Sequence, residues 1–334
     1  MGKVTVIGTT AWGTTLAVML SNKGEEVILW ARSEEEAQKL NQKRENVDRL
    51  PGARFPPNLQ ATASPSEALE MSGLVILAVP SQTMRRNLKL IKSYIPNSSL
   101  ILSVSKGIEV ETTKRMSQVI AEEVGLSLSR RIAVLSGPNF SKEVIQGMPT
   151  ATVVAAEDTE IAREIQQVVA GPNFRVYINE DVIGVELGGA LKNVIALAAG
   201  MSDGLGYGDN TKAALITRGL AEITRLGVAA GAKLLTFSGL AGLGDLVATC
   251  WSKLSRNRFV GQELAKGRSL KEVLSSMRSV AEGVDTTLAA LKLARRLGVE
   301  MPITEQVYRV LFEGLEVRQA VPALMERELK HEWH

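Results

Sequence analysis

Lys3-Val4-Thr5-Val6-Ile7-Gly8-Thr9-Thr10-Ala11-Trp12-Gly13-Thr14-Thr15-Leu16-Ala17 decides how the chain folds. An apolar strand runs into a glycine turn and then straight into a helix. In that context a Gly-x-Gly-x-x-Gly turn presents backbone N–H groups and a helix N-terminus to the pyrophosphate of a dinucleotide. Gly8 and Gly13 stand at the first and third glycine positions, and Thr10 replaces the second. The middle glycine normally lets the backbone approach the phosphates closely. A Cβ at position 10 is therefore expected either to push the cofactor outward or to make its hydroxyl a phosphate ligand.

Beyond this turn, short apolar runs alternate with polar helical stretches, the pattern of a doubly wound parallel sheet. The predicted strands are 4–7, 27–30, 74–79, 100–104, 132–135, 151–155 and 175–178; several are continuous Val/Ile/Leu runs, as strands covered on both faces should be. Helices are predicted after Gly13, ending at Lys23-Gly24, and from Glu34 to Leu40. Leu50 to Leu59, with three prolines, reads as a surface connection. Near Asp181 the β signals stop and Ala/Leu-rich helical segments follow, separated by glycine-rich breaks such as 200–208. The expected organisation is a dinucleotide-binding domain over 1–181 and a helical substrate and catalytic domain over 182–334, two domains being the default for 334 residues.

Bulk properties narrow the function. Lys and Arg total 39 against 36 Asp and Glu, dispersed along the chain, so no basic footprint for nucleic acid or a membrane surface is present. The single cysteine, Cys250, permits no internal disulfide and fits a reducing cytoplasm. The N-terminus enters a strand without a leader-like pattern, and no apolar run is expected to reach membrane-spanning length. Both histidines, His331 and His334, lie in the terminal tail, so a lysine, carboxylate or tyrosine is the expected proton carrier.

Several residues could carry chemistry. About 20 residues past the glycine turn an NAD-selective site usually has an acid for the ribose 2′-hydroxyl. Arg32 stands there instead, either as a partner for a 2′-phosphate, which favours NADP(H), or as a solvated surface cation. Glu25 and Glu26 precede the strand, on the wrong side to replace the acid. Lys106 follows a predicted strand, where ligands of doubly wound sheets gather, and is either a ligand for an anion or a surface lysine. Gly137 and Asn139, at another strand exit, could meet substrate, and Ser141 offers helix-cap geometry. Lys192 lies in the apolar stretch Gly188-Gly189-Ala190-Leu191-Lys192-Asn193, where desolvation can lower its pKa towards neutrality; a salt-bridged or snorkelling lysine is the alternative. Asp245, after Gly239-Leu240-Ala241-Gly242-Leu243-Gly244, could hold Lys192 or simply cap a helix. Ser255-Arg256-Asn257 offers a hydroxyl, a guanidinium and an amide for a phosphate, or a solvated polar patch. Cys250 has no histidine to activate it and reads as a core thiol.

Taken in order, the glycine turn with Trp12, Lys106-Gly107, Gly137-Pro138-Asn139-Phe140, Gly188 to Asn193, Gly200-Met201-Ser202-Asp203-Gly204, Thr217 to Glu222, Gly242 to Leu246, Ser255-Arg256-Asn257 and Met301 to Glu305 resemble bacterial NAD(P)-dependent glycerol-3-phosphate dehydrogenases over nearly the whole chain. The resemblance implies a Rossmann-like α/β domain followed by an all-α domain, and interconversion of dihydroxyacetone phosphate and sn-glycerol 3-phosphate for glycerophospholipid synthesis. It implies Lys192 as proton donor and acceptor, and Lys106, Gly137, Asn139, Asp245, Ser255, Arg256 and Asn257 around the substrate. Ala11, Trp12, Arg32, Ser141, Val280 and Glu282 would line the cofactor site, with Lys106 and Arg256 also near it. NADP(H) is favoured with NAD(H) as the alternative cofactor, and a homodimer is implied. Position 11 is more often serine and position 139 often threonine or serine in that family. Two other readings remain: a two-domain dehydrogenase of another small hydroxy acid, such as 6-phosphogluconate or a ketopantoate-like compound, and a non-catalytic nucleotide-binding regulator.

Overall fold

The computed structural model describes residues 2–277, 279–326, 328, 331 and 332. His334 of the tail lies outside them. Eight strands form one sheet: β1 (Lys3–Ile7), β2 (Val27–Trp30), β3 (Leu59–Thr62), β4 (Ser72–Leu77), β5 (Leu100–Ser103), β6 (Ile132–Ser136), β7 (Thr150–Ala156) and β8 (Phe174–Asn179). Their order is β3-β2-β1-β4-β5-β6-β7-β8. β3 to β6 are mutually parallel, β7 turns antiparallel to β6, and β8 runs parallel to β7. The order reverses across β1 and β4, so a crevice opens at the carboxyl ends of these strands, where such folds bind ligands. Val4, Val6, Leu74, Ile76, Leu100 and Leu102 pack on one face and Ile7, Val75, Leu77 and Ile101 on the other, which explains the uninterrupted apolar runs.

The seven expected strands are all present, with ends shifted by one or two residues. The eighth, β3, was absent from the sequence reading. It begins at Leu59, inside the stretch expected to be a surface connection, and Leu50, Ala53 and Phe55 there are buried. β3 has only four residues, Leu59-Gln60-Ala61-Thr62, with two apolar side chains, too short an alternation to signal a strand after three prolines. The helix Ala11–Asn22 follows the glycine turn, and Glu34–Lys43 follows β2.

From Val182 the chain is helical. Val182–Gly204 forms the central helix, and the helices Asp209–Ala229, Asp245–Trp251, Arg256–Ala265 and Glu282–Leu297 pack around it. The break expected over 200–208 is confined to 205–208: the central helix ends at Gly204 and the next begins at Asp209. Gly200 and Gly204 are still helical. They let the Arg256–Ala265 helix approach so closely that a Cβ on Gly200 would collide with the Arg258 carbonyl oxygen, and one on Gly204 with Ala265 and Gln262. The central helix is also long and apolar enough to cross a membrane by length and composition, contrary to the expectation, but 89% of its most apolar window is buried inside the protein. Its all-round hydrophobicity reflects a helix enclosed by other helices. The fold is thus a Rossmann-like α/β domain followed by a helical C-terminal domain.

Candidate active site

The glycine turn is built as the sequence predicts, with one correction. Gly8 has φ 107°, in the left-handed region, and a side chain there would run into the Ala78 carbonyl and Val79. Thr10 is the N-cap of the helix Ala11–Asn22. Its hydroxyl accepts from the Gly13 N–H at 3.1 Å and donates to the Ala78 carbonyl at 2.9 Å. With its only proton committed to the next strand, that hydroxyl has no donor left for a phosphate, so the ligand role considered for Thr10 is not supported. The N–H groups of Ala11 and Trp12, at the first two helical positions, have no intrahelical partner and are free to meet an anion. The buried Trp12 indole N–H has no partner either, and the ring packs on Phe174 at a centroid distance of 6.2 Å. This donor set fits a dinucleotide pyrophosphate.

Arg32, at the β2 exit, is exposed, and its guanidinium makes no ion pair among the described residues. A residue that the sequence reading missed stands beside it. The half-buried Glu36 accepts from the Thr9 hydroxyl at 2.6 Å and from the Arg32 backbone N–H at 3.2 Å. Ser33 caps this helix through the Glu36 N–H, and the Ser-x-x-Glu spacing was the signal that could have found it.

Three segments converge beyond the carboxyl ends of β5 and β6. Gly188 and Gly189 of the central helix leave room for Ala241 and Ser136, so the helix lies against the end of β6. This close approach carries Lys192, only 6% exposed, to the floor of the cleft. Its ammonium pairs with Asp245 Oδ1 and donates to Thr249 Oγ1 at 2.8 Å. Lys106 reaches the other oxygen of Asp245 at 2.8 Å, and donates to the Gly137 carbonyl at 2.9 Å and to Asn139 Oδ1 at 3.0 Å. Asp245 begins the helix Asp245–Trp251 but caps nothing with its side chain; Leu240–Gly244, expected to be a turn, coils as a widened helical turn that delivers it. Thr249, four residues on, shares its helix face, the spacing that would have linked the two. Burial pulls the Lys192 pKa down to about 7; Asp245 opposes this and the Lys106 charge adds to it. Burial pushes the Cys250 thiol up to about 12, in keeping with an inert core residue.

The opposite wall is the first turn of Arg256–Ala265. Ser255 is its N-cap, accepting from the Arg258 N–H at 3.2 Å and keeping its own proton to donate. The N–H groups of Arg256 and Asn257 have no helical partners. Arg256 is solvent-accessible, yet the protein mass around it lowers its pKa while Glu282 acts in the opposite direction. The Asn257 side chain, expected to meet a phosphate, is oriented by two bonds: its Nδ2 donates to Asn193 at 2.8 Å and its Oδ1 accepts from Gly283 N–H at 2.9 Å. Its second amide proton and its backbone N–H are left to offer to a ligand. Ser141 is also not a cap; Phe140 takes that position and Ser141 opens the short helix Ser141–Ile145. Glu282 accepts from the Ser81 backbone N–H at 3.1 Å and from the Ser81 hydroxyl, tying the helical domain to the β4 exit, and burial raises its pKa. Val280 is exposed two residues before it.

Comparison with known proteins agrees with this geometry. Two family models match, NAD-dependent glycerol-3-phosphate dehydrogenase N-terminus over residues 3–162 and its C-terminus over 181–322. A glycerol-3-phosphate dehydrogenase [NAD(P)+] of Dehalococcoides mccartyi is 53% identical over 99% of this chain and 93% of its own length. That of Moorella thermoacetica is 53% identical over 98% and 97%. The crystal structure of the glycerol-3-phosphate dehydrogenase from Coxiella burnetii superimposes with a TM-score of 0.93 at 38% identity, covering 98% of this chain and 99% of that one. The chain belongs to the NAD-dependent glycerol-3-phosphate dehydrogenase family.

Proposed function

We propose that this protein interconverts dihydroxyacetone phosphate and sn-glycerol 3-phosphate with NADP(H) or NAD(H), residues 1–181 holding the dinucleotide and 182–334 the substrate. The observation that carries the reading is Lys192, buried with its pKa near 7 and sharing Asp245 with Lys106. The cofactor supplies or accepts the hydride. Gly8, Gly13 and the first-turn N–H groups of Ala11 and Trp12 hold its pyrophosphate, Arg32 favours a 2′-phosphate and therefore NADP(H), and Ser141, Val280 and Glu282 flank the nicotinamide end. The Ser255 hydroxyl, the N–H groups of Arg256 and Asn257, and the Arg256 guanidinium clamp the substrate phosphate.

With Asp245 and Thr249 occupying two directions around Lys192 Nζ, the third faces the substrate oxygen. In reduction the ammonium donates its proton to that oxygen; in oxidation the neutral amine removes the hydroxyl proton. A pKa near 7 populates both forms at working pH. Lys106, whose three N–H groups are taken up by Gly137, Asn139 and Asp245, acts on developing negative charge at the same oxygen through its positive charge alone. Closure of the two domains would exclude water from this site. The family resemblance further supports a cytoplasmic homodimer that supplies phospholipid synthesis.

The test is a spectrophotometric assay of dihydroxyacetone phosphate reduction with NADPH and NADH in parallel, with 6-phosphogluconate and ketopantoate as competing substrates. Lys192→Ala should abolish turnover and leave cofactor affinity within about twofold, since one buried amine contributes to chemistry and not to dinucleotide binding. Near-wild-type kcat in that variant would remove Lys192 from the mechanism, and preference for a competing substrate would assign a different reaction.

A further inference from the structure

The missing acid at the end of β2 has a substitute supplied by the next helix. Glu36 projects back towards the glycine turn, where one carboxylate oxygen accepts from Thr9, the residue after Gly8, and the other from the backbone N–H of Arg32. The same side chain lines one wall of an open cavity of about 470 Å³ next to the turn, together with Leu40, Asn46 and the charged Lys39, Asp48 and Arg49, within the ~300–1,000 Å³ typical of small-molecule sites. Asn46 fixes the rim from below, donating to the Thr9 carbonyl at 3.0 Å and to the Thr14 hydroxyl at 2.8 Å. Thr9 is therefore held on two sides, and the Glu36 carboxylate is set at a defined place between the turn and the β2 exit.

We propose that Glu36 is a specificity-determining residue for the adenosine end of the dinucleotide, receiving a ribose 2′-hydroxyl and opposing a 2′-phosphate. The proposal rests on the reading of the glycine turn as a dinucleotide site. In folds of this type an acid about 20 residues past the glycine turn, at the end of β2, accepts from the ribose, and the same negative charge repels a phosphate on that carbon; Glu36 comes from the helix that follows β2 and brings its carboxylate back to the β2 exit. Arg32 and Glu36 then exert opposite preferences from adjacent positions. Arg32 carries an exposed cation that can pair with a 2′-phosphate, while its own backbone N–H holds the opposing carboxylate in place. Opposed preferences from Arg32 and Glu36, at a locus to which Lys39, Glu45, Asp48 and Arg49 also bring charge, yield an enzyme that accepts both cofactors, with the balance adjustable at either residue.

The decisive measurement is equilibrium binding of NADPH and NADH by calorimetry, on the wild type, Glu36→Gln, Glu36→Asp and Arg32→Ala, at low and at high salt. Glu36→Gln removes the charge and keeps one of the two acceptors, so that the oxygen can still serve Arg32 N–H while the amide donates to the Thr9 hydroxyl. It should shift the affinity ratio towards NADPH by about tenfold, the scale of one like-charge contact removed from a partly exposed site, and the shift should shrink at high salt. Glu36→Asp keeps the charge but withdraws it and should fall between; Arg32→Ala should move the ratio the opposite way. Adenosine 2′,5′-bisphosphate against AMP should reproduce the shift, since the effect is confined to the adenosine end. A lower melting temperature with an unchanged NADPH to NADH ratio would reduce Glu36 to a helix cap and overturn the proposal alone. Failure of the wild type to bind either dinucleotide would overturn the dinucleotide reading and the proposal with it.

Discussion

Asp245→Asn isolates what the carboxylate does for Lys192. In the native protein burial lowers the lysine pKa, and the paired carboxylate restrains that fall, with a balance near 7. Asparagine preserves the shape and one acceptor but removes the charge that both Lys192 and Lys106 share. A hydrogen bond to a charged partner contributes about 1.5–3 kcal/mol, and one pKa unit corresponds to 1.36 kcal/mol, so the loss equals about 1–2 units. The sign is downward: an anion favours the ammonium, and without it burial and the Lys106 charge act unopposed. Lys192 should then titrate at about 5–6. At pH 7 its protonated fraction drops from about one half to about 1–10%, so dihydroxyacetone phosphate reduction should slow by about 5–50-fold from protonation alone. The kcat/KM for reduction, followed by cofactor absorbance from pH 5 to 10, should show its descending limb moved to lower pH by that amount. Oxidation at pH 9, where the lysine is neutral in both proteins, should lose much less. A uniform loss with the limb still near 7, or a limb moved upward, would refute the view that Asp245 tunes the proton on Lys192.

Two further perturbations test the helical scaffold. Burial pushes the Glu222 carboxyl up to about 7, against the lowering effect of its bonds from Ile303 and Thr304. The native state therefore holds this proton more tightly than the unfolded chain, whose carboxyl titrates near 4.5, and stability should fall by about 3 kcal/mol as pH rises from about 4.5 to about 7. Glu222→Gln should flatten that slope in melting temperatures recorded across this range; an undiminished slope would assign it to other groups. Gly200→Ala would drive a Cβ into the Arg258 carbonyl and force the Arg256–Ala265 helix away from the central helix. A loss of about 1–3 kcal/mol by denaturant unfolding should accompany a raised KM for dihydroxyacetone phosphate, because the first turn of that helix forms the phosphate wall; an unchanged KM would separate the packing from the site.

The parts legible in the sequence were those written in local pattern. Val4 to Ile7 and Leu74 to Leu77 are apolar because both faces of their strands are covered, and that produces a run visible without any partner. Lys192 announced itself by contrast, a cation in an apolar helix. What the sequence concealed depends on approach between distant segments. Gly200 and Gly204 have the composition of a break and the role of a contact, and only the Arg256–Ala265 helix laid across them decides between the two. Thr10 has the chemistry of a ligand, yet the Ala78 carbonyl takes its only proton, while Asn193 and Gly283 fix the Asn257 amide and leave it one donor. A polar side chain beside a site is thus available to a ligand only after its structural partners have been counted.

The charges that set the proton on Lys192 come from both domains. Lys192 is carried by the central helix, but its pKa depends on the Lys106 charge, which is held at the β5 exit by Gly137 and Asn139 of the segment after β6. Asp245 joins them, one oxygen to each lysine. A displacement of the α/β domain relative to the helices would lengthen the Lys106–Asp245 contact first, because the Lys192–Asp245 pair lies wholly within the helical domain. Opening would remove the Lys106 cation and admit water, and both changes raise the Lys192 pKa; closing lowers it again. Under the proposed mechanism, proton affinity at Lys192 would follow the juxtaposition of the two domains, the ammonium becoming the better acid when the cleft is assembled; the expected sign is a lower Lys192 pKa with both ligands bound than in the free protein, read from the pH dependence of kcat against that of kcat/KM.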